Sequence, residues 1–172
     1  MIKTKIQQTL VIVKPDGLIK SLTGNILTAL SETKLKIVGA KILKVPKKLA
    51  ELHYGDLKER KPQVFPSAVK YLMGEFHTDR VLALVYQGPD AVANIRKICG
   101  ATNPEEADPV SIRGRYGRIN SKTGVFENVI HTSESVKSAE KEIRLWFQPG
   151  ELTETAFKTK KIARTEEATI WA

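Results

Sequence analysis

Cationic and hydroxyl side chains beside turns are the residues of this sequence most suited to chemistry. Lys14 stands in VKPDG, Arg113 stands in SIRG, and Arg96 and Thr102 lie on either side of Gly100. A guanidinium group matches phosphate oxygens bidentately and a lysine adds a point charge, so these residues could gather around a polyphosphate. The same charges could also lie on a solvated face, and the residues alone leave both interpretations open.

His131 follows an apolar run and precedes a helical pattern in the stretch NVIHTSES. One interpretation is a packing or surface histidine. The other is a nucleophile at the mouth of a site, because neutral imidazole is abundant near pH 7 and needs no general base to become nucleophilic.

Several common site motifs are absent from the sequence. It contains no GxxxxGK[ST] or GxGxxG phosphate loop and no GxSxG elbow, and His53, His77 and His131 are too dispersed to indicate a zinc site. The single cysteine, Cys99, excludes an intramolecular disulfide. It lies in an apolar helical pattern, which predicts a core thiol.

Composition predicts one soluble domain. The chain has 172 residues, of which 41% are hydrophobic and 27% charged. The net charge of +9 is scattered, with small clusters only at 44–48 and 158–161, so it permits an anionic partner without identifying one. No stretch approaches the roughly 20 apolar residues that cross a bilayer. The first ten residues also lack a signal-peptide pattern. Together these two observations predict a cytoplasmic protein with no membrane partner.

The hydrophobic pattern predicts the elements that must position these residues. Strands are predicted at 7–17, 35–45, 79–88 and 125–131. Helices are predicted at 23–34 with Thr23 as a cap, at 47–60, at 65–74, at 89–100 with Pro89 near its start, and before Phe147. Because this order does not alternate strictly, it favours an α+β fold with a split βαβ topology and an antiparallel sheet covered on one face.

Five stretches resemble a known family and occur in that family's order across about residues 8 to 151. NVIHTSES is similar to the N-x-x-H-x-S-D-S signature of nucleoside diphosphate kinases. Four other stretches resemble further motifs of that family: TLVIVKPDG, HYGDLKER, GATNPEEADPVSIRG and SAEKEIRLWF. The resemblance implies a ferredoxin-like antiparallel sheet covered by helices, an α/β sandwich. It also implies a kinase-like domain at 1–151, with a tail at 152–172 that packs on the domain or on a neighbouring subunit.

The resemblance implies a ping-pong reaction that maintains nucleoside triphosphate pools. His131 would take the γ-phosphoryl group of a nucleoside triphosphate and pass it to a nucleoside diphosphate. Ser133 and Glu142 would orient the histidine. Lys14 would reach the ribose hydroxyl and the terminal phosphate, and Tyr54 would line the site beside it.

The remaining nucleotide contacts follow from the same resemblance. Asn128 would bind the ribose 3′-hydroxyl. Phe65 is assigned to base stacking, although Val64 aligns as easily because the chain is longer in this region. The phosphate ligands would be Arg96, Thr102 and Arg113.

Two features depart from the family pattern, and a third constrains the assignment. Glu134 stands where the family usually has Asp, and RYGRINSKTGVFE is longer than usual, with NSKTG typical of a hairpin tip. Its Arg118 and Lys122 could lie near the site or in solvent. A single helix from His131 to Glu142 would separate them by roughly 16 Å, so the chain must turn after His131, which TSES permits.

The implied partners are ATP and other nucleoside tri- and diphosphates, with Mg²⁺ carried by the nucleotide phosphates rather than by a protein metal site. The resemblance also implies a homo-oligomer, most often a hexamer and sometimes a tetramer or dimer, with the loop around Pro104 in subunit contacts. Ile170 and Trp171 of the tail are expected on a neighbouring surface. Nucleic acid is expected to bind only weakly and without specificity. The rival interpretation is a nucleic-acid-binding or partner-binding protein that kept the fold and lost activity.

Overall fold

A computed structural model describes residues 5–163 and contains two antiparallel sheets within that range. The strands in chain order are β1 (Ile6–Val13), β2 (Lys36–Leu43), β3 (Val81–Pro89), β4 (Arg118–Ile119), β5 (Phe126–Glu127) and β6 (Ile130–Thr132). The main sheet has the order β2-β3-β1-β6, and β4 and β5 form a separate hairpin.

All neighbouring strands of the main sheet are antiparallel. β1 and β2 are therefore parallel to each other with β3 between them, and β3 and β6 are parallel with β1 between them. Two such interleaved crossovers make the ferredoxin-like arrangement, as the sequence predicts.

Eight α-helices lie within residues 5–163, together with 3₁₀ turns at Pro104–Glu106 and Pro149–Glu151. None of these helices is long and apolar enough to cross a membrane. The helices are α1 (Pro15–Ile19), α2 (Thr23–Ser31), α3 (Lys47–His53), α4 (Gly55–Arg60), α5 (Phe65–Met73), α6 (Ala91–Cys99), α7 (Ile112–Tyr116) and α8 (Val136–Trp146).

Helices cover both faces of the main sheet, so the expectation of one covered face is wrong. Leu10 and Ile12 of β1 pack in a core with α3, α5 and α8, whereas Val11 and Val13 pack in a second core with α2 and α6. Four consecutive apolar residues in one strand indicate burial on both faces, because successive side chains of a strand point in opposite directions. Cys99 is fully buried in the second core, which confirms the predicted core thiol.

Two predicted elements are interrupted at positions that carry site residues. The predicted helix 47–60 breaks at Tyr54, whose φ of −94° and ψ of 17° leave the helical range between α3 and α4. The predicted strand 125–131 is split at Asn128–Val129 into β5 and β6, and Val129 has a φ of 57°. Within the turn-rich segment 101–124, the chain forms α7 and β4.

The starts of three helices differ in how they are capped. Pro89, predicted near the start of this helix, is the last residue of β3, and Asp90 is the residue that precedes α6. Thr23 is the first residue of α2 and makes no capping hydrogen bond. In contrast, the Ser135 hydroxyl accepts a hydrogen bond from the Ser138 N–H at 3.1 Å and caps α8.

We expect Ser135→Ala to lower the free energy of unfolding by about 1 kcal/mol, because it removes this cap. Thr23→Ala is the matched control and should change stability by less than about 0.5 kcal/mol. Urea unfolding of both variants measures the difference. Equal losses would contradict the assignment of Ser135 as the functional cap.

The chain after α8 runs along β2. The Thr153 N–H and hydroxyl both donate to the Val38 carbonyl, at 2.8 and 3.2 Å. Lys41 and Glu151 form an ion pair at 2.7 Å. These contacts tie residues 151–153 to an edge strand, while Ile170 and Trp171 lie outside the described residues.

Candidate active site

A cavity of about 430 Å³ opens beside the adjoining ends of β1 and β6. Eight of the ten sequence-predicted site residues line it, although they come from eight separate parts of the chain and only His131 lies within a strand. They are Lys14, Tyr54, Arg96, Thr102, Arg113, Asn128, His131 and Glu142.

His131 is held from one side by a chain of hydrogen bonds. Its Nε2 lies 3.0 Å from Glu142 Oε2, which also accepts a bond of 2.6 Å from the Ser133 hydroxyl. The Ser133 oxygen in turn accepts the Leu10 N–H at 3.1 Å. The chain turns over residues 133–135 before α8 begins, as the sequence requires if His131 and Glu142 are to meet.

The partner of His131 fixes its tautomer. An ionised carboxylate only accepts hydrogen bonds, so Nε2 carries the proton and Nδ1 keeps its lone pair. Burial on its own would raise the pKa of Glu142. Attraction to His131, hydrogen bonds from His131 and Ser133, and the charge of Lys141 outweigh burial and hold this pKa below its usual value.

Lys14 follows the last residue of β1 and is only 7% exposed. Its Nζ donates to Asn128 Oδ1 at 2.8 Å, and Asn128 Nδ2 donates to the Thr102 carbonyl at 2.7 Å. Burial lowers the pKa of Lys14 to about 8, the Asp16 carboxylate opposes that shift, and Arg113 adds to it. Lys14 is therefore a cation at neutral pH that loses its charge unusually easily.

Arg113 is a buried guanidinium held by neutral groups. It is 4% exposed and donates to the Gly100 carbonyl at 2.8 Å and to the Ile130 carbonyl at 3.1 Å. Within residues 5–163 no carboxylate lies within 4.0 Å of it. Burial lowers its pKa. A buried charge normally has a counter-ion, so the arrangement favours an anionic ligand.

The rest of the cavity wall is also cationic. Arg96 reaches it from α6, and Arg60 and Lys61 reach it from the end of α4. The last two were not predicted from the sequence, although Arg60 ends the quoted stretch HYGDLKER and Lys61 directly follows it. The other lining carboxylates are near cations, since Asp56 accepts from Lys141 at 2.8 Å and Glu134 lies 3.9 Å from Arg60.

His53 is a further site residue, and it was not predicted from the sequence. Its ring packs edge-to-face with that of His131, with ring centroids 4.4 Å apart. Trp146 Nε1 donates to His53 Nδ1 at 3.1 Å, so the neutral ring carries its proton on Nε2, which has no hydrogen-bond partner within residues 5–163. Burial first, and then the charges of His131, Lys14 and Lys141, keep the pKa of His53 well below its usual value.

His53, His131 and Glu142 offer ligand atoms within 4.8 Å of one another. This set of two imidazoles and one carboxylate would suit a transition metal better than Mg²⁺. The hydrogen bond from Trp146 opposes such a site, because a metal on His53 Nε2 would require a proton on Nδ1, where the indole N–H already points.

Tyr54 and Phe65 differ in their placement. Tyr54 lines the cavity, and burial, with the charges of Glu142 and Asp16, raises the pKa of its hydroxyl, so the hydroxyl stays protonated. Phe65 does not line the cavity, because its ring packs against the core shared by α3, α5 and α8. The structure places Leu57 at the cavity wall instead.

The long segment after Arg113 forms the hairpin of β4 and β5, with NSKTG at its tip as predicted. Its base is tied to the buried Glu127 carboxylate, which accepts from Arg118 and Asn120 at 2.6 Å and lies 3.1 Å from His77. Arg118 and Lys122 line a separate surface hollow and not the cavity.

Comparison with known proteins gives a consistent result. A family model described as nucleoside diphosphate kinase matches residues 7–152. The nucleoside diphosphate kinase of Cyanothece sp. is 43% identical over 146 residues, which cover 85% of this chain and 91% of the relative. Nucleoside diphosphate kinase A of Mus musculus is 40% identical over 148 residues, covering 86% and 90%.

Solved structures show the same similarity. One, described as a transition-state mimic of nucleoside-diphosphate kinase from Borrelia burgdorferi with bound vanadate and ADP, has a TM-score of 0.78 and 34% identity. The match covers 91% of this chain and 93% of that one. The nucleoside diphosphate kinase of Aquifex aeolicus has a TM-score of 0.74 and 32% identity, covering 86% and 99%.

Proposed function

The chain belongs to the nucleoside diphosphate kinase family, and from that premise we propose that His131 carries the phosphoryl group in transfer from a nucleoside triphosphate to a nucleoside diphosphate. One observation carries the proposal. Glu142 occupies His131 Nε2, which leaves Nδ1 as the nucleophilic nitrogen of a ring that lines a cationic cavity. The corresponding experiment is an assay of ADP formation from ATP with a diphosphate acceptor other than ADP.

The reaction has two half-reactions. In the first, the His131 Nδ1 lone pair forms a bond to the γ-phosphorus while the bond to the oxygen bridging the β-phosphate breaks, and the diphosphate leaves with that electron pair. In the second, a terminal oxygen of the acceptor diphosphate attacks the same phosphorus and the N–P bond breaks. Glu142 stabilises the positive charge that develops on the imidazole when Nδ1 is bonded to phosphorus.

The cations around His131 hold the phosphates. We assign the β- and γ-phosphates to Arg96, Arg113 and Lys14, because the transition state spreads charge over the phosphoryl oxygens and catalysis depends on positioned cations. The cavity suits Mg²⁺ that arrives on the nucleotide, since its lining carboxylates already contact Lys141, Arg60, or His131 and Ser133. When bound, Mg²⁺ supplies neutralisation of phosphate charge.

The sugar is assigned to the Lys14–Asn128–Thr102 chain of hydrogen bonds. Lys14 Nζ donates to Asn128 Oδ1 at 2.8 Å, and both side chains keep further hydrogen-bonding capacity for ribose hydroxyls. Since Leu57 offers the base only an apolar contact, we propose broad tolerance of the base, as expected of an enzyme that maintains all nucleoside triphosphate pools. The family's stacking role for Phe65 stays a prediction for which this geometry provides no contact.

The pKa of Lys14 predicts an alkaline loss of activity. Lys14 binds phosphate as a cation, so kcat/KM should fall as pH rises through about 8, because kcat/KM reports groups of the free enzyme. Lys14→Arg is the control: its guanidinium stays charged, so its profile should lack this limb even if its absolute rate is lower. A wild-type kcat/KM that is flat to pH 10 would contradict the assignment.

We propose that the chain assembles into a homo-oligomer, with the 3₁₀ turn at Pro104–Glu106 in subunit contacts. Ile37 and Ile42 of the edge strand β2 are 48% and 67% exposed, which further favours burial against another subunit. Light scattering at micromolar concentration is expected to give at least a dimer, and a monomer would contradict the proposal.

We also propose a cytoplasmic location and only weak, non-specific contact with nucleic acid. The net charge of +9 supports phosphate contacts of this kind. The cavity does not favour the rival interpretation of an inactive binding protein. Its cations Lys14 and Arg113 are buried around His131, whereas the surface cations Arg118 and Lys122 line a separate hollow.

A further inference from the structure

Val129 lies between two site residues in a backbone conformation that its side chain disfavours. It has a φ of 57°, and the Ile130 N–H bonds to the Asn128 carbonyl at 2.7 Å across it. A hydrogen bond from residue i+2 to residue i with a positive central φ is the rare, strained form of the γ-turn, and a β-branched residue is the least suited to it. Such strain persists only where surrounding contacts determine the conformation.

Those contacts come from the segment that follows β1. Asp16 Oδ2 accepts the Val129 N–H at 3.1 Å, and the Lys14 N–H donates to the Val129 carbonyl at 2.9 Å. Gly17 permits the close approach, because a Cβ at that position would lie 2.9 Å from the Val129 carbonyl oxygen. Both hydrogen-bonding groups of Val129 are therefore held by residues 14–16.

The turn at Val129 sets the positions of site residues on both sides of it. Before it, Asn128 holds Lys14 and the Thr102 carbonyl. After it, the Ile130 carbonyl accepts from Arg113, and His131 follows in β6. A relaxed turn would displace all of these together.

The Asp16 carboxylate also places a buried negative charge near Lys14. The residue is fully buried, its carboxylate lies close enough to the Tyr71 hydroxyl to help raise the pKa of that hydroxyl, and it acts on Lys14 through space. The burial of Lys14 and the nearby Arg113 oppose protonation of Lys14, and Asp16 opposes both of these effects. The titratable and charged groups that interact with Lys14 or Asp16 are His53, Tyr54, Tyr71, Arg113 and, from the β4–β5 hairpin, Arg118.

We propose that Asp16 is a positioning residue for the transfer reaction, which clamps the strained turn at Val129 and supplies the buried counter-charge to Lys14. The inference rests on the proposed function of His131 and Lys14. It assigns two separable effects to one carboxylate, one geometric and one electrostatic, and each has its own variant.

Asp16→Asn isolates the charge. The amide oxygen can still accept the Val129 N–H, but the negative charge is gone. At pH 6, where Lys14 is protonated in either protein, kcat/KM should stay within about threefold of wild type. The alkaline limb should move to lower pH by about one unit, and ADP binding measured by calorimetry should weaken at pH 8 but not at pH 6. If the alkaline fall in kcat/KM occurs at the wild-type pH, the electrostatic role of Asp16 is overturned.

Asp16→Ala removes the clamp as well. At pH 6 it should lower kcat by about 10- to 100-fold, because small displacements of reacting groups cost up to about that much. An unchanged kcat at pH 6 would overturn the clamp. If Asp16→Ala does not fold, Asp16→Glu replaces it: the charge stays but the longer side chain displaces the contact, so kcat should fall without a shift of the limb, and wild-type kcat would overturn the clamp.

Two controls separate this inference from the proposed function. Asp79→Asn removes an exposed carboxylate that pairs with Lys44 at 2.6 Å and should leave the pH profile unchanged. Wild-type enzyme mixed with labelled ATP tests His131 independently of Asp16. If wild type is labelled on His131 and the Asp16 variants behave as wild type, only the role of Asp16 fails. If wild type is not labelled, the proposed function fails first.

Discussion

His131→Ala is expected to lose nearly all phosphoryl transfer while keeping the fold and nucleotide binding. The change removes the nitrogen that would carry the phosphoryl group, and removal of a nucleophile costs up to about 10⁶-fold in other covalent enzymes, so a loss above about 10³-fold is expected here. Lys14, Arg96 and Arg113 remain in place to hold the phosphates. Steady-state transfer rates and calorimetric ADP binding measure the two properties separately.

His77→Ala is the control for this variant. His77 contacts Glu127 and does not line the cavity, and Glu127 keeps its bonds from Arg118 and Asn120 when His77 is removed. Activity should therefore remain largely intact. Substantial transfer by His131→Ala would mean that the histidine of NVIHTSES is only a packing residue.

Arg113→Ala is expected to cost about 2–4 kcal/mol of transition-state stabilisation, or roughly 30- to 1,000-fold in kcat/KM. The guanidinium is buried, forms no ion pair with a carboxylate among residues 5–163, and lines the cavity to which we assign the phosphates. Thermal unfolding of the variant must be recorded beside its kinetics, because the Gly100 and Ile130 carbonyls lose their donor.

Lys122→Ala is the control, because it also removes a positive charge, but from the hairpin tip. It should change kcat/KM by less than about twofold, since distant exposed charges are screened by salt. Equal losses in the two variants would mean that the inserted hairpin belongs to the site. That outcome would contradict the structure, in which the surface hollow at Lys122 is separate from the cavity at His131.

The fold was predictable from sequence where hydrophobic patterning determines it. The four main strands and the ferredoxin-like order followed from the pattern together with the family resemblance. The second covered face was missed, although four consecutive apolar residues at 10–13 signal it. The break at Val129 could not be predicted from local pattern, because the Asp16 carboxylate holds it against local preference.

The candidate site was predictable to the extent that its residues stand in the quoted motifs. His53 was missed because its spacing with Leu49 suits a helix stripe, and its proximity to His131 exists only in the folded chain. Asp16 was missed because a carboxylate in a turn normally indicates local hydrogen bonding, and only the structure shows its bond to a residue 113 positions away.

The most direct test of the central claim is a labelling experiment on wild-type enzyme. Enzyme mixed with ATP labelled in the γ-phosphoryl group, without acceptor, should become labelled on His131, and the label should resist base, be lost in acid, and be discharged by a nucleoside diphosphate. Initial-rate plots with both substrates should then be parallel. Label on another residue, or no label while transfer proceeds, would contradict the mechanism.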